Sequence, residues 1–336
     1  MALYCGIDLH SNNHVVVVID EANRRVYERR LGNDLALTLG ALEPYRKELA
    51  GVAVESTFNW YWLVDGLQAA GYPMRLVNTT AVQQYAGLKY TDDRYDAYWL
   101  AHLMRLGLLP TGYIYPKEQR GIRDLLRRRM QLVQTASKQL ISLQSQIWRR
   151  TGEKISSPRL KRPDFVVDLP GAAERLSAET TLKVYRAIQD ELELLESVLL
   201  QVVKPRPDYQ VLTSMTGVGV ILGMTIALET GDIRRFPEVG NYASYCRCVK
   251  SEKLSNGKKK GEGNAKSGNK YLSWAFSEAA HFAVRYEPLA RRFFERKQRK
   301  TNGIVAIRAL AHKLARAAYY MLRDQVPFDA EKLFAN

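Results

Sequence analysis

The sequence predicts a mixed α/β domain, then a long helical arm, then a mainly helical C-terminal domain. Three observations carry that reading. The N-terminal third alternates short β-branched runs with amphipathic helical stretches. From Lys117 to about Arg150 the chain has one glycine, Gly121, and no proline. Beyond Lys204-Pro205-Arg206-Pro207, Ala, Leu, Phe and Arg recur at helical spacing.

Composition bounds the function. The 336 residues are 46% hydrophobic and 25% charged, which suits a folded globular chain of two or three domains. A formal charge of +15 and a pI near 9.6 are the footprint of a polyanion binder, with nucleic acid the leading partner. Cys5, Cys246 and Cys248 are too few for a disulfide framework, and one C-x-C pair is a poor zinc site. They fit a reducing cytoplasm. Met1 to Ile7 has no charged segment leading into a long apolar one, and no apolar run approaches membrane-spanning length. We therefore expect a cytoplasmic chain with no membrane partner.

In the first domain, expected at residues 1–112, Leu3 to Asp8 and His14 to Ile19 read as strands joined by Leu9-His10-Ser11-Asn12-Asn13. Arg25 to Arg30 adds a third strand, and an amphipathic helix follows from Asp34 to Leu49. Gly51 to Val54 is a strand ending at Glu55. A helix (Trp60 to Ala70), a strand (Pro73 to Val77) and a short helix (Thr79 to Tyr85) continue the pattern. Three antiparallel strands followed by alternating helices and strands is the element order of an RNase H-like sheet. In such a sheet the first and fourth strands are adjacent, which brings Asp8 and Glu55 together.

The stretch Lys89-Tyr90-Thr91-Asp92-Asp93-Arg94-Tyr95-Asp96-Ala97 opens a helix whose first turn puts Asp93 and Asp96 on one face. Alone, such a pair is equally a response to the helix dipole. With Asp8 and Glu55 it makes four carboxylates, a donor set suited to one or two Mg²⁺ ions acting on a phosphodiester. His10, two residues after Asp8, reads as a solvated turn histidine that could also assist a metal.

Gly6-Ile7-Asp8, Val54-Glu55-Ser56-Thr57 and Asp93-Arg94-Tyr95-Asp96-Ala97 resemble the motifs of the DEDD insertion-sequence transposases, whose N-terminal domain is related to RuvC-type junction resolvases. The resemblance places the family's four acids on Asp8, Glu55, Asp93 and Asp96. Asp92 is the neighbouring alternative to Asp93.

The arm, residues 113–206, holds two long helices, Lys117 to about Arg150 and Ala178 to Val203. A connector with Pro158, Pro163, Pro170 and Gly171 separates them. Ile122, Leu126, Val133, Ala136, Leu140, Leu143 and Ile147, at mixed three, four and seven spacings, mark a coiled-coil seam, serving either an intramolecular hairpin or a dimerisation arm. Arg120, Arg123, Arg127, Arg128, Arg129, Arg149 and Arg150 are expected on an outer face that tracks a phosphate backbone.

In the C-terminal domain, residues 207–336, Met215 to Gly223 fits a helix-hairpin-helix turn in which Gly217 and Gly219 permit close approach to phosphate. It fits an ordinary αα-hairpin as well. The segment Lys250 to Lys270 reads as a loop that carries seven lysines, among them Lys253, Lys258, Lys259 and Lys260. Within it, counting from Arg235-Phe236 as the family pattern implies, the nucleophilic serine falls on Ser255, with Asn256 standing before Gly257. Ser251 and Ser267 are the alternatives. Three helices follow, Tyr271 to Tyr286, Glu287 to Lys300 and Ile304 to Val326.

The resemblance implies an RNA-guided DNA recombinase of a mobile element. Ser255 would form a covalent phosphoserine link to DNA, assisted by Mg²⁺ at the four acids. A structured non-coding guide RNA would pair with donor and target DNA, and the protein would work as a homodimer or homotetramer at the bacterial nucleoid. Two rivals share parts of this chemistry: a junction nuclease using water, and a non-catalytic nucleic-acid scaffold.

Overall fold

The computed structural model describes residues 1–82, 92–249, 253–261 and 267–335. Lys89, Tyr90, Thr91, Ser251 and the end of the helix expected at Thr79 to Tyr85 lie outside the described residues. The chain divides into two units, Met1–Lys117 and Glu118–Asn336.

The first unit runs β1 (Leu3–Leu9), β2 (Asn13–Ile19), β3 (Arg25–Gly32), α1 (Leu35–Leu42), β4 (Leu49–Glu55), α2 (Tyr61–Ala69), β5 (Met74–Val77), α3 (Thr79–Val82) and α4 (Asp93–Arg105). The sheet order is β3-β2-β1-β4-β5. The short reversals at Leu9 to Asn13 and at Asp20 to Arg24 make β1, β2 and β3 antiparallel, whereas helical crossovers make β4 parallel to β1 and β5 parallel to β4. Cys5, Ile7, Leu9, Val16, Val18, Val52 and Val54 pack with Leu42, Leu63 and Leu67 of α1 and α2 on one side. Val15, Val17 and Ile19 meet Ala97 and Ala101 of α4 on the other, where Ala53 and Val77 also meet Leu100. Apolar cover on both faces explains why these strands read as nearly continuous hydrophobic runs.

The helix expected from Asp34 to Leu49 is half that length. Asp34 caps α1, its side chain accepting from the Ala36 and Leu37 amides, but Pro44 lies just past its end. Proline has no N–H to continue the α-helical ladder, so the chain tightens into a short 3₁₀ turn at Glu43–Tyr45, where the Arg46 amide donates to the Glu43 carbonyl at 3.2 Å, and Leu49 already belongs to β4.

The second unit begins with α5 (Lys117–Thr151), a short turn α6 (Ser157–Leu160) and α7 (Ala172–Val203). Helix α7 starts six residues earlier than expected, directly after the extended Gly171, because Ala172-Ala173-Glu174 are good helix formers. The two long helices run antiparallel within one chain. Arg150 meets Glu174 at 2.9 Å, Gln146 Nε2 donates to Thr181 at 3.1 Å, and Arg129 meets Glu196 at 2.6 Å. Ala136, Leu140, Leu143 and Ile147 fill the space between them with Ala178, Leu182 and Tyr185.

The same helices root in a second core. It is built from α8 (Pro207–Thr213), α9 (Val220–Thr230), α10 (Val239–Tyr245), α11 (Lys270–Tyr286), α12 (Pro288–Lys300) and α13 (Gly303–Asp324), with α14 (Ala330–Phe334) at the end. Strands β6 (Lys253–Ser255) and β7 (Lys258–Gly261) form a separate hairpin. Leu126, Leu199 and Val203 of the long helices join the buried face of α13, whose Ile307, Leu310, Ala311, Leu314 and Ala318 recur at helical spacing. No helix among the described residues is long and apolar enough to cross a membrane.

One buried ion pair ties α5 to α9. Glu229 is 2% exposed, and its two carboxylate oxygens accept from Arg127 Nε at 2.6 Å and from a terminal guanidinium nitrogen at 2.7 Å. Asn269 Nδ2 adds a third bond at 2.7 Å.

Two outcomes follow from this packing. Gly6 of β1 lies so close to α4 that an added Cβ would stand 1.9 Å from the Ala97 carbonyl oxygen, a backbone atom. Gly6→Ala should therefore cost about 3 kcal/mol, read as a lowered unfolding midpoint in urea. Glu229→Ala leaves the Arg127 charge without its partner. It should cost about 3 kcal/mol in the same measurement, whereas changing Arg162, whose ion pair with Asp164 is exposed on both sides, should move the midpoint little.

Candidate metal centre and serine hairpin

Strand period and register bring the acids together. Ile7 of β1 pairs with Val54 of β4, so the next residues, Asp8 and Glu55, lie side by side at the same end of two parallel strands. Side chains alternate along a strand. Asp8 therefore shares the face of Gly6, and Glu55 the face of Ala53, which is the face that α4 covers. Helix α4 opens with Asp92 as its N-cap, accepting from the Tyr95 amide at 2.8 Å, and this leaves Asp93 and Asp96 in the first turn.

The electrostatics follow from this crowding. Asp8 is 4% exposed, and burial pushes its carboxyl up to about 6, with Asp96 and Asp93 adding to the shift and His10 and Arg30 opposing it. Burial, then the charges of Asp8 and Asp96, lift Glu55 to about 7. Asp96 is raised by burial and by Asp93. Asp93 is held low by the hydrogen bond from Arg30 at 2.6 Å. Three crowded acids that resist ionising, around one that is already paired, form a centre short of positive charge.

Its donors fit a divalent cation. They are mostly hard carboxylate oxygens, and Asp8 Oδ2 is buried without a hydrogen-bond partner among the described residues. Asp8, His10 and Asp93 each offer one ligand atom, all within 4.8 Å of one another.

Ser255 stands at the end of β6, paired with Lys258 across a two-residue turn. Asn256 and Gly257 both have positive φ, 51° and 70°, as a type I′ turn requires. Asn256, which separates this sequence from a Ser-Gly dipeptide, is thus the first turn residue of a hairpin that stands in place of the expected lysine-rich loop. The Asn-Gly pair was the available signal. Ser255, Lys258 and Lys260 are exposed, Lys253 and Lys259 lie on the same two strands, and the alternative Ser267 is exposed farther along. Both ends of the segment are anchored. The Asn269 amide donates to the Tyr245 carbonyl at 2.6 Å, and the Arg247 guanidinium donates to the Gly268 carbonyl at 2.9 and 3.1 Å.

The basic face of α5 is not the open surface expected. Arg120 is 4% exposed and Arg123 9%, while Arg127 is committed to Glu229 and Arg129 to Glu196. Of the seven arginines assigned to nucleic acid on this helix, Arg128, Arg149 and Arg150 are exposed, Arg150 while paired with Glu174. The partners of Arg127 and Arg129 come from α9 and α7, far from α5 in sequence. Gly217, at φ 96°, and Gly219 form the turn between α8 and α9, and an added Cβ on Gly217 would stand 2.6 Å from the Ala279 carbonyl oxygen of α11.

Comparison with known proteins gives concordant results. A family model of IS110-type DEDD transposases, described as a transposase, matches residues 5–148. A second, described as the transposase IS116/IS110/IS902 family, matches residues 209–295. The chain is similar to an insertion element IS110 uncharacterized 43.6 kDa protein of Streptomyces coelicolor, 29% identical over 139 residues, which are 41% of this chain and 34% of the relative. It is also similar to a putative transposase, y4qE, of Sinorhizobium fredii, 24% identical over 280 residues, 78% of this chain and 66% of the relative. The matched regions thus span about a third of the first relative's length and just under two thirds of the second's. Two family models that between them take in the acid cluster and the serine hairpin place the chain in one group: it belongs to the IS110-type family of DEDD transposases.

Proposed function

We propose that this chain is an RNA-guided DNA recombinase of an insertion sequence, working through a covalent phosphoserine intermediate. The observation that carries the reading is the convergence of Asp8, Glu55, Asp93 and Asp96 on one face of the sheet, with Asp8 and Glu55 resisting ionisation. The strand order supports an RNase H-like, RuvC-related domain at residues 1–112. The antiparallel helix pair supports a coiled-coil arm at 113–206, and the α8–α9 turn supports a helix-hairpin-helix element in a transposase domain at 207–336.

In this reading the four acids hold Mg²⁺, as one or two ions. The bound cation would supply charge stabilisation at the phosphate and a lower pKa for an attacking hydroxyl. Ser255 Oγ forms a bond to a DNA phosphorus as the bond from phosphorus to a bridging sugar oxygen breaks. The serine proton passes to solvent, and the sugar oxygen takes one up to leave as a hydroxyl. Attack by another strand's hydroxyl then reverses the link and frees Ser255, so each new phosphodiester replaces one broken and no ATP is required. Two strands exchanged this way create a Holliday-junction-like intermediate.

Lys258 and Lys260, exposed beside Ser255, suit the scissile phosphate, and Lys253 and Lys259 lie on the same strands. Arg128, Gly217 and Gly219 are further candidates for backbone contacts. Arg120, Arg123 and Arg127 are better read as internal fasteners of the second unit, given their burial and pairing. The charge of +15 suits a guide RNA together with donor and target DNA, handled by a homodimer or homotetramer in the bacterial cytoplasm.

Two experiments test this. With guide RNA and DNA present, the wild-type chain should form a protein–DNA adduct that survives denaturing electrophoresis. Ser255→Ala and Asp8→Asn should each reduce it at least about 10³-fold, while Ser267→Ala should leave it intact. Cleavage that persists in Ser255→Ala with no adduct would instead make the chain a water-using nuclease. The second experiment uses pH. Asp8 and Glu55 have folded pKa values above their ordinary ones, so the stability they contribute is present at low pH and is lost as pH rises through about 6 to 7. A divalent ion binds only their ionised forms. Mg²⁺ should therefore raise the melting temperature clearly near pH 8 and scarcely at all near pH 5.

A further inference from the structure

His10 converts the acid cluster into a mixed oxygen and nitrogen donor set. Its Nε2 lies 3.1 Å from Asp8 Oδ2 and 3.2 Å from Asp93 Oδ2. Both are ion-pair distances. Asp8 Oδ2 and His10 Nε2 are both buried atoms without a hydrogen-bond partner among the described residues. Two buried polar atoms left this way are costly, and native interiors rarely keep them without an ion, a water or a chemical role. The spacing is informative as well. Adjacent ligands of a six-coordinate ion with bonds of roughly 2.1 Å stand about 3 Å apart.

The histidine is also held in place. Its amide donates to the Asn13 carbonyl at 2.9 Å, and its own carbonyl accepts from Asn33 Nδ2 at 3.0 Å and from Asn59 Nδ2 at 2.9 Å. Asn33 is fixed in turn, its Oδ1 lying 3.1 Å from Nδ1 of the fully buried His14, whose Nε2 lies 3.0 Å from Thr38 Oγ1. A solvated turn residue needs no such scaffold. These bonds come from the β1–β2 turn, from the segment after β3 and from the segment after β4, so the position of His10 depends on the folded sheet.

We propose that His10 is a metal ligand, its Nε2 joining Asp8 and Asp93 on a divalent ion, with Asn33 and Asn59 as its positioning residues. The proposal rests on the reading that the acid cluster holds a metal, and it goes on to the choice of metal. Mg²⁺ takes oxygen donors almost exclusively, whereas first-row transition ions accept imidazole, and their affinity for mixed sites starts at Mn²⁺ and rises along the series. His10 therefore biases the site toward Mn²⁺ over Mg²⁺. Arg30, bonded to Asp93 Oδ2 at 2.6 Å, lowers the net negative charge of the cluster. A neutral nitrogen donor then counts for more of the affinity than it would beside four free carboxylates.

The test uses the full chain without nucleic acid, near pH 8. Mn²⁺ binding is followed by electron paramagnetic resonance, and Mg²⁺ by its competition with Mn²⁺. The wild type should bind Mn²⁺ more tightly than Mg²⁺, and electron spin-echo modulation of the bound Mn²⁺ should show a coupled ¹⁴N nucleus. His10→Ala should abolish the nitrogen modulation and weaken Mn²⁺ at least about 10-fold while changing Mg²⁺ much less, and Asn59→Ala should weaken Mn²⁺ by about 10-fold. Circular dichroism and melting of each variant establish that it is folded, and His10→Gln offers a milder change should His10→Ala fail to fold. Absence of nitrogen modulation in the wild type, or unchanged or tighter Mn²⁺ binding in a folded His10 variant, overturns the role of His10. If Asp8→Asn still loses Mn²⁺ in that case, the metal reading beneath it survives. A wild type that binds neither ion, or binds both as well in Asp8→Asn, overturns both.

Discussion

The first unit depends on the contact between α4 and the backbone of β1. Gly6 has no side chain, so the helix settles on the strand with Ala97 and Ala101 against it and Val15, Val17 and Ile19 alongside. That closeness places the first turn of α4, with Asp93 and Asp96, over the end of β1, where Asp8 sits beside Glu55. The carboxylates repel one another and lose hydration, and the raised pKa values of Asp8, Glu55 and Asp96 express both effects. Packing free energy from the apolar sheet holds together a charge arrangement that would not assemble by itself. Such a cluster is stabilised by whatever cation enters it.

The second unit uses charge the opposite way. Arg127 and Glu229 satisfy each other inside the protein, and Asn269 takes part while also capping α11, its Oδ1 accepting from the Tyr271 and Leu272 amides. Asn269 follows the segment that carries Ser255, and its amide is bonded to Tyr245 just before that segment begins. The hairpin is held by the local geometry of Asn256-Gly257, and Tyr245 and Asn269, on either side of the segment, are joined by this buried network. An exposed serine on a tight turn can be presented to a large substrate without a pocket around it.

Much of this was legible in the sequence where the signal was local or periodic. The strand and helix order of the first unit, the long uninterrupted helices and the position of each acid at the end of an element could be read from hydrophobic period and breakers. Two local signals were present and underweighted. Pro44 ends α1 early, and Asn256-Gly257 specifies a hairpin where lysine content suggested a loop. That Asp92 is the N-cap of α4, its side chain accepting from the Tyr95 amide, was seen only in the fold.

What the sequence by itself determined is the set of elements, the acids at their ends and an excess of positive charge. The tertiary structure decided which charges face outward and which groups meet. Arg120, Arg123 and Arg127 look like a solvated basic stripe in one dimension, yet burial and the Arg127–Glu229 pair place them inside. His10 looks like a turn residue, yet β1 and α4 bring its Nε2 between Asp8 and Asp93. The physical reason is the same in both cases. Period and propensity act over a few residues along the chain, whereas burial and charge pairing are set by residues such as Glu229 and Asp93 that lie far away in sequence and come close only when the chain has folded.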